Sequence, residues 1–240
     1  MSTLLLSDLH LPAQASPLRE MFLRFLQGPA TNAAEVYLLG DLFEAWIGDD
    51  VGLREYATEI AALRALRDRG VAVFVQHGNR DFLLASEFEQ ASGATLLGDP
   101  EVRVIQGQRT LLTHGDLLCT DDVGYQRWRR WVHKPWVQGL FRSLPLRLKQ
   151  RIAGGARDSS RQAKRDKPMA IMDVNADAVH DWFRRYEVDR LIHGHTHRPD
   201  RHLQTLDGRE RERIVLPDWR ADRHDYLEIG ADGSLHFHSL

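Results

Sequence analysis

A layered α/β fold is predicted by three features of this 240-residue sequence. Short apolar runs alternate with segments of helical spacing, as strands alternate with helices in α/β proteins. Five of the runs end in a loop that carries Asp, His or Asn. The chain is also long enough for one large core, or for a core with an insertion. Because ligands gather beyond the carboxyl ends of strands in open α/β sheets, we expect the functional site in these loops.

The elements are predicted one by one from apolar runs and helical spacing. The predicted strands are Thr3–Leu6, Glu35–Leu39, Val71–Gln76, Glu101–Ile105, Arg109–Thr113, Arg190–His193, Arg213–Leu216 and Asp225–Ile229. The predicted helices are Leu18–Leu26, Leu53–Arg69 and Ala176–Tyr186. Gly70 is the expected stop of the second helix, and Asp49 and Asp50 are its expected N-terminal caps.

Composition excludes several classes of protein. With 42% hydrophobic and 28% charged residues, the chain is neither disordered nor fibrous. Cys119 is the single cysteine, which permits no intrachain disulfide and fits a reducing compartment. The first apolar stretch is too short for a signal peptide, and no apolar run approaches the roughly 20 residues of a membrane span. We therefore expect a cytoplasmic protein that does not span the membrane.

Charge is distributed unevenly along the chain. The formal net charge is -2, yet residues 120–167 contain 13 Lys or Arg and only four acidic residues. This block therefore carries +9, and the rest of the chain carries -11. A basic block inside an acidic chain suggests an anionic partner that binds at one face.

The polar residues at the strand ends are a mixed set of carboxylates, imidazoles and one amide. They are Asp8, His10, Asp41, Asn79, His114, His195 and His197. A buried carboxylate without a partner is costly, and Asp41 is placed to bridge two cations. Carboxylates and imidazoles without a thiolate suit Mn²⁺, Fe, Zn or Co, and paired metals in such sites lie about 3.5–4 Å apart. The set therefore predicts a two-metal centre.

Five sequence blocks carry a resemblance to a known family. SDLH, GDLFE, GNRD, THGD and GHTH, in that order, resemble the signature of the calcineurin-like metallophosphoesterases. The resemblance implies a β-sandwich flanked by helices, with two metal ions. It implies that the ligands of one metal are Asp8, His10, Asp41 and His197, and that those of the other are Asp41, Asn79, His114 and His195. Many family members have His after the GN pair, whereas this chain has Arg80, whose planar fork suits phosphate.

A closer resemblance extends over nearly the whole chain. GNRDFLL, WIGDD and SSRQAKRDKPMAIMDVN are similar to a bacterial family, the UDP-2,3-diacylglucosamine diphosphatases of lipid A synthesis. This implies Mn²⁺ as the metal and water attack on the α-phosphorus of the substrate pyrophosphate, giving UMP and 2,3-diacylglucosamine 1-phosphate. The implied catalytic residues are Arg80 and His195. The implied substrate contacts are Asn79, Arg80, Asp122, Ser160, Lys164, Lys167 and His195, although Ala163 offers no polar contact beside Lys164.

Residues 120–168, called the insertion below, separate two parts of the predicted metallophosphoesterase core, residues 1–119 and 169–240. Trp128, Trp131 and Val132 are expected on one helical face with Tyr125, between the arginines. Such an amphipathic, basic helix can cover a lipid-bearing anionic substrate as a lid, or lie on an anionic membrane. A helical hairpin with a solvated arginine face is the alternative. The resemblance favours a lid on a monomer attached peripherally to the cytoplasmic face of the inner membrane.

Other functions remain open at this point. Another calcineurin-like phosphatase would share the metals without needing an apolar lid. A nuclease would use the basic block, and its binding would fall steeply with salt. A metal-free scaffold predicts lost ligands, and all seven are present. The resemblance favours an acylated UDP-sugar as partner, with no nucleic acid.

Four polar residues beside the blocks have other expected roles. We expect His77 to be structural and His193 to lie in the core. Asp81 and Asp116 either orient Arg80 and His114 or cap their loops.

Overall fold

The computed structural model describes residues 1–155 and 173–240. The strands are β1 (Ser2–Leu6), β2 (Ala33–Leu39), β3 (Ala72–Gln76), β4 (Thr95–Leu96), β5 (Glu101–Ile105), β6 (Gln108–Thr113), β7 (Arg190–His193), β8 (Asp200–Leu206), β9 (Arg209–Val215), β10 (Asp225–Ile229) and β11 (Leu235–Ser239). The helices are α1 (Pro17–Gln27), α2 (Asp49–Glu55), α3 (Ala57–Asp68), α4 (Ser86–Ser92), α5 (Val123–Val132), α6 (Pro135–Arg142), α7 (146–155) and α8 (Ala176–Tyr186).

Two sheets form the centre of the fold. The first has the strand order β11-β10-β1-β2-β3-β4, and the second has the order β5-β6-β7-β9-β8. β1, β2 and β3 run parallel, as do β6, β7 and β9. The carboxyl ends of three strands therefore lie at one edge of each sheet. The predicted site residues come directly after five of these strands, β1, β2, β3, β6 and β7.

The core has three apolar clusters that separate four layers. Leu5 and Tyr37 of the first sheet pack with Leu112 and Ile192 of the second. A larger cluster fills the space between the first sheet and helices α1, α3 and α4. A third cluster, centred on Phe183, joins α8 to the second sheet. This arrangement confirms the predicted β-sandwich flanked by helices.

The second predicted helix differs from the structure. Leu53–Arg69 was predicted as one helix, but the structure has two helices here. α2 begins earlier, at Asp49, and the helical geometry is interrupted at Tyr56 before α3 begins. Tyr56 is buried and donates its hydroxyl hydrogen to Leu11 O at 3.0 Å. This tertiary contact holds Tyr56 outside helical geometry, with φ of -116°.

The expected cap of α2 is also wrong. The side chain of Asp49 makes no capping hydrogen bond to its own helix. Its two oxygens accept hydrogen bonds from Trp46 Nε1 at 2.9 Å and from the backbone N–H groups of Ala85, Glu87 and Phe88 at 3.1–3.2 Å. Asp49 therefore caps the start of α4, a short helix that was not predicted.

The described part of the insertion is helical and contacts the core at several points, of which two involve Phe82 and Lys149. Phe82 packs edge-on against Trp128, with ring centroids 6.2 Å apart. Lys149 on α7 is buried and pairs with Asp50 on α2 at 3.0 Å. Trp131 is 52% exposed and lies beside Trp136, which is 60% exposed, while Trp128 is 40% exposed.

Two further observations concern the insertion and its surroundings. The predicted substrate contacts Ser160, Lys164 and Lys167 lie outside the described residues. Across residues 1–155 and 173–240, no helix combines the length and apolar character that crossing a bilayer requires.

Candidate metal centre

The seven predicted metal ligands meet where the carboxyl ends of the two sheets face each other. Asp8 and His10 follow β1, Asp41 follows β2, and Asn79 follows β3. From the second sheet, His114 follows β6, and His195 and His197 follow β7. The structure thus brings side chains from five separate loops to one place.

One group of donor atoms surrounds Asp8. Its Oδ1 lies 3.3 Å from His197 Nε2 and 3.9 Å from His10 Nε2. The ligand atoms of these three residues all lie within 4.8 Å of one another. Asp41 Oδ2 approaches the same group, at 3.9 Å from His10 Nε2.

A second group surrounds His114. Its Nε2 lies 3.2 Å from His195 Nδ1, 3.3 Å from Asn79 Oδ1 and 3.8 Å from Asp41 Oδ2. Asp41 Oδ2 therefore lies at nearly equal distances from His10 of the first group and His114 of the second. A carboxylate oxygen in this position can join two cation sites, the role that was expected for Asp41.

The backbone at these loops is strained. Five predicted ligands have a positive φ, between 47° and 67°, which side chains other than glycine rarely adopt. They are Asp8, His10, Asp41, His195 and His197. Strain of this kind persists only where the surrounding structure enforces it, and it is concentrated at functional sites.

Two glycines let the loops approach each other closely. A Cβ on Gly78 would collide with the side chain and backbone of Asp41, and one on Gly194 would collide with Ser7 and Asp8. The Gly in the GN and GH blocks is therefore required by the packing of loop on loop.

Two imidazoles of the site are oriented by a partner at Nδ1. His114 Nδ1 is 3.0 Å from Leu39 O, which accepts only if this nitrogen carries the hydrogen. His10 Nδ1 lies 3.6 Å from Glu44 Oε2 without a hydrogen bond among the described residues. His197 Nδ1, by contrast, is 3.4 Å from Asp218 Oδ2. Such partners select the tautomer that leaves Nε2 to bind a metal.

Asp218 was missed by the sequence analysis. It follows β9, which is parallel to β7, so it lies at the same edge as the other strand-end residues. The signal was present, because Asp218 comes two residues after the apolar end of a predicted strand. Its carboxylate is buried and also pairs with Arg220 and Arg223.

The two open assignments for Asp81 are resolved by its contacts. Its side chain accepts hydrogen bonds from the N–H groups of Leu42 at 2.7 Å, Phe43 at 3.4 Å and Gly78 at 2.8 Å. Asp81 therefore caps the loops that carry Asp41 and Asn79. His193 is buried, as expected for a core residue, and His77 contacts Leu84 O at 2.9 Å.

The electrostatics of the site favour a bound cation. Burial alone would lower the pKa of His114, but the carboxylates of Asp41, Asp8 and Asp116 outweigh it and raise the pKa to about 9. Burial is likewise outweighed at His197, where Asp218 and Asp8 raise the pKa to about 9. The negative potential that stabilises the protonated imidazoles would also stabilise a metal ion bound at the same place.

The donor set also fits a metal by its unsatisfied atoms. Among the described residues, the buried Asp8 Oδ1 makes no hydrogen bond of good geometry and has the imidazole of His197 as its neighbour at 3.3 Å, whereas Oδ2 accepts from Ser7 Oγ and from His195 N. A buried carboxylate oxygen without a donor is costly unless a cation binds it. Asp8 thus presents one oxygen fixed by hydrogen bonds and one available to a metal.

The other predicted site residues surround this centre. Arg80 donates its backbone N–H to Asp41 Oδ1 at 2.7 Å, and its guanidinium lies 4.0 Å from Glu44. Asp122 caps α5 by accepting from Tyr125 N at 3.0 Å. Arg80 therefore lies directly beside the candidate metal centre, whereas Asp122 lies at the start of the insertion, before α5.

Comparison with known proteins gives the family. Residues 1–199 match the family model of the calcineurin-like phosphoesterases. Proteins named UDP-2,3-diacylglucosamine hydrolase from Enterobacter sp., Escherichia coli and Escherichia fergusonii are 47–48% identical over 222 residues, covering 92% of this chain and 92% of each relative. A solved structure of Vps29 from Entamoeba histolytica covers 100% of this chain and 98% of its own, with 15% identity and a TM-score of 0.47. The chain belongs to the calcineurin-like phosphoesterases and is similar over most of its length to the UDP-2,3-diacylglucosamine hydrolases.

Proposed function

We propose that this chain hydrolyses the pyrophosphate bond of UDP-2,3-diacylglucosamine, with water attacking the α-phosphorus to give UMP and 2,3-diacylglucosamine 1-phosphate. The observation that carries the proposal is the convergence of two donor groups on Asp41 Oδ2, within 3.9 Å of His10 and 3.8 Å of His114. Relatives that share 48% identity over 92% of the chain are named for this substrate. The reaction belongs to lipid A synthesis.

Two divalent ions, most simply Mn²⁺, are the proposed cofactors. Asp8, His10, Asp41 and His197 would hold one ion; the other would be held by Asp41, Asn79, His114 and His195. When bound, the ions supply a water of lowered pKa and withdraw charge from the phosphoryl oxygens. The oxygen and nitrogen donors fit Mn²⁺, and the described ligands contain no thiolate.

Arg80 and His195 are the proposed catalytic residues. Arg80 is anchored through its backbone to Asp41, and its side chain is only 13% exposed, so its charge is little screened by water. The leaving group of the proposed reaction is a phosphate monoester, which needs neutralisation of charge more than protonation. A guanidinium provides this at any pH, and His195 stabilises the same developing charge from the opposite loop.

The insertion is the proposed lid and membrane-binding surface. Asp122 and, outside the described residues, Ser160, Lys164 and Lys167 are the proposed contacts to the substrate beyond the metals. Exposed Trp and Leu side chains on the helices would accompany the acyl chains or lie in the lipid. We propose a monomer in the cytoplasm, bound peripherally to the inner membrane and without a nucleic-acid partner.

The test is turnover of UDP-2,3-diacylglucosamine by metal-stripped protein before and after addition of Mn²⁺. We expect activity only with metal, and ¹⁸O from labelled water in UMP rather than in the lipid phosphate. Label in the lipid phosphate would move the attack to the other phosphorus. Metal-dependent cleavage of a simple phosphodiester, without action on the lipid nucleotide, would overturn the substrate.

A matched pair of variants tests the metal assignment. Asp41→Asn removes the shared carboxylate charge and should abolish both metal occupancy and turnover. Asp68→Asn changes an exposed acid at the end of α3 and should affect neither. Full turnover by Asp41→Asn would contradict the two-metal scheme.

A further inference from the structure

Helix α5 of the insertion contacts the loop that carries His114 through Arg129, a largely buried arginine. Arg129 Nε donates to Asp116 Oδ2 at 2.6 Å, and Arg129 Nη2 lies 3.1 Å from Asp99 Oδ2. The side chains of Arg129, Asp116 and Asp99 are 13%, 2% and 7% exposed. One guanidinium thus joins two buried carboxylates from two different loops.

Both carboxylates lie next to His114. Asp99 Oδ1 accepts the hydroxyl hydrogen of Thr113 at 2.6 Å and the backbone N–H of His114 at 3.3 Å. Asp116 begins the short 3-10 turn, Asp116–Leu118, two residues after His114. The chain is therefore fixed on both sides of His114 by the groups that Arg129 holds.

Two neighbours of Arg129 on α5 strengthen the same connection. The Tyr125 hydroxyl donates to Asp116 Oδ2, and the Tyr125 ring stacks at 6.3 Å from the ring of His195. Gln126 Nε2 donates to Asp116 O at 2.7 Å and to Cys119 O at 3.1 Å. Consecutive turns of α5 therefore reach the loop of His114 and the side chain of His195.

We propose that α5 is part of the metal centre, and that Arg129 is a positioning residue for the metal that His114 binds. The inference rests on the proposed two-metal function. Arg129 touches no metal ligand side chain; it acts through Asp99 and Asp116 on the backbone of His114. The helix that begins the lid thereby also sets the geometry of one of the two metals.

Charge and geometry explain why an arginine is required. Its planar fork can bind two carboxylates in fixed directions at once, which the single ammonium of a lysine cannot do. Without the cation, two buried carboxylates would face each other, and repulsion between them would displace the loops on both sides of His114. Removing a residue that positions a metal ligand in this way typically lowers the affinity for the metal about 10–100-fold.

The experiment is calorimetric titration of Mn²⁺ into the full-length, metal-stripped protein. We expect two binding steps in the unchanged protein, and in Arg129→Met a loss of about tenfold or more in the affinity of one step. Arg129→Lys keeps the charge but loses the fork, so the same step should weaken by less. Arg130→Met, on the exposed side of α5, should leave both steps unchanged.

A double-variant cycle assigns the weakened step to His114. In a His114→Gln background, Arg129→Met should have no further effect on metal binding, whereas in a His197→Gln background its effect should persist. If Arg129→Met and Arg129→Lys only lower the thermal stability of the metal-free protein and leave both affinities unchanged, the proposal is overturned. If the unchanged protein shows a single step or none, the two-metal function itself fails instead.

Discussion

At the scale of single residues, the orientation of His197 depends on one carboxylate. Asp218 accepts from His197 Nδ1 at 3.4 Å, while His197 Nε2 faces Asp8 Oδ1 at 3.3 Å. In Asp218→Asn, the amide can present its nitrogen to the imidazole and lose the tautomer preference. We expect the affinity for the metal at Asp8, His10 and His197 to fall about 10–100-fold, measured by Mn²⁺ titration.

The control for this prediction lies close by in sequence. Asp222 is exposed, and Asp222→Asn should leave metal affinity within twofold of the unchanged protein, roughly the error of such a titration. An Asp218→Asn protein with unchanged affinity would show that Asp218 serves only to hold Arg220 and Arg223.

The protonation of two imidazoles makes metal binding dependent on pH. The carboxylates around His114 and His197 outweigh burial and raise the pKa of each to about 9, so both are protonated at neutral pH in the metal-free protein. A metal needs neutral imidazole, so binding releases protons and its affinity should rise with pH up to about 9, by as much as tenfold per pH unit for each proton. Calorimetry in buffers of different ionisation enthalpy measures the protons released.

His133 provides a control for the predicted pH dependence of metal binding. Burial, followed by Arg129, lowers the pKa of His133 to about 4, so this residue is neutral throughout the range and His133→Asn should not change proton release. An affinity that is flat from about pH 6 to 8 would contradict the prediction.

Some residues of the site can be predicted from the sequence pattern, whereas others are identified only by contacts in the structure. Asp8, Asp41 and His114 stand directly after apolar runs, so the sequence places them at strand ends. Asp99 and Arg129 act by contacts across 30 positions of the chain, which no local pattern encodes. Asp218 was open to prediction, since it follows an apolar run in the same way.

At the scale of secondary-structure elements, a side chain from one helix determines where another begins. Asp49 accepts four hydrogen bonds, from Trp46 Nε1 and from three backbone N–H groups at the start of α4. Asp49→Ala would leave buried donors without partners, at a cost of about 3 kcal/mol in the free energy of unfolding. We expect the midpoint of thermal unfolding to fall by roughly 6–12 °C.

Two variants distinguish this cap from a general effect of charge. Asp49→Asn retains an acceptor and should lose less stability than Asp49→Ala, while Asp68→Ala at the exposed end of α3 should change stability by about 0.5 kcal/mol or less. Equal stability for Asp49→Ala and Asp68→Ala would show that α4 does not depend on this carboxylate.

The same elements show how far local pattern determines secondary structure. The helical spacing after Leu53 correctly predicted a helix, but its break at Tyr56 comes from a hydrogen bond to Leu11, 45 residues away. α4 has the sequence SEFEQAS, which is short and polar and gives no apolar stripe. β8 lies at the edge of its sheet, and with six intermediate or exposed residues before Leu206 it lacks the apolar run used to predict strands.

At the scale of the whole molecule, the two sheets and the insertion have separate roles. The sandwich fixes the five loops of the candidate metal centre, and its layers follow from the alternation of strands and helices in the sequence. The insertion carries the positive charge: +9 over residues 120–167, against -11 for the rest of the chain. Charge of one sign on one part of a protein favours one orientation towards an anionic surface.

Binding to anionic vesicles is therefore expected to depend on the insertion. Trp131 and Trp136 are 52% and 60% exposed, and their rings lie 6.3 Å apart on α5 and α6. Replacing both with Ser removes apolar surface that can enter the lipid interface, so binding to phosphatidylglycerol vesicles should weaken about tenfold or more. Sedimentation with vesicles measures this, and added salt should weaken binding of both proteins.

The control for this last prediction is an apolar side chain of similar exposure elsewhere. Phe237 on β11 is 47% exposed, and Phe237→Ser should leave vesicle binding unchanged. Equal weakening by Phe237→Ser would indicate non-specific adsorption of exposed apolar surface. If the unchanged protein fails to sediment with anionic vesicles at low salt, the insertion acts on the substrate alone and the membrane-bound location is wrong, while the metal centre and its chemistry are untouched by that result.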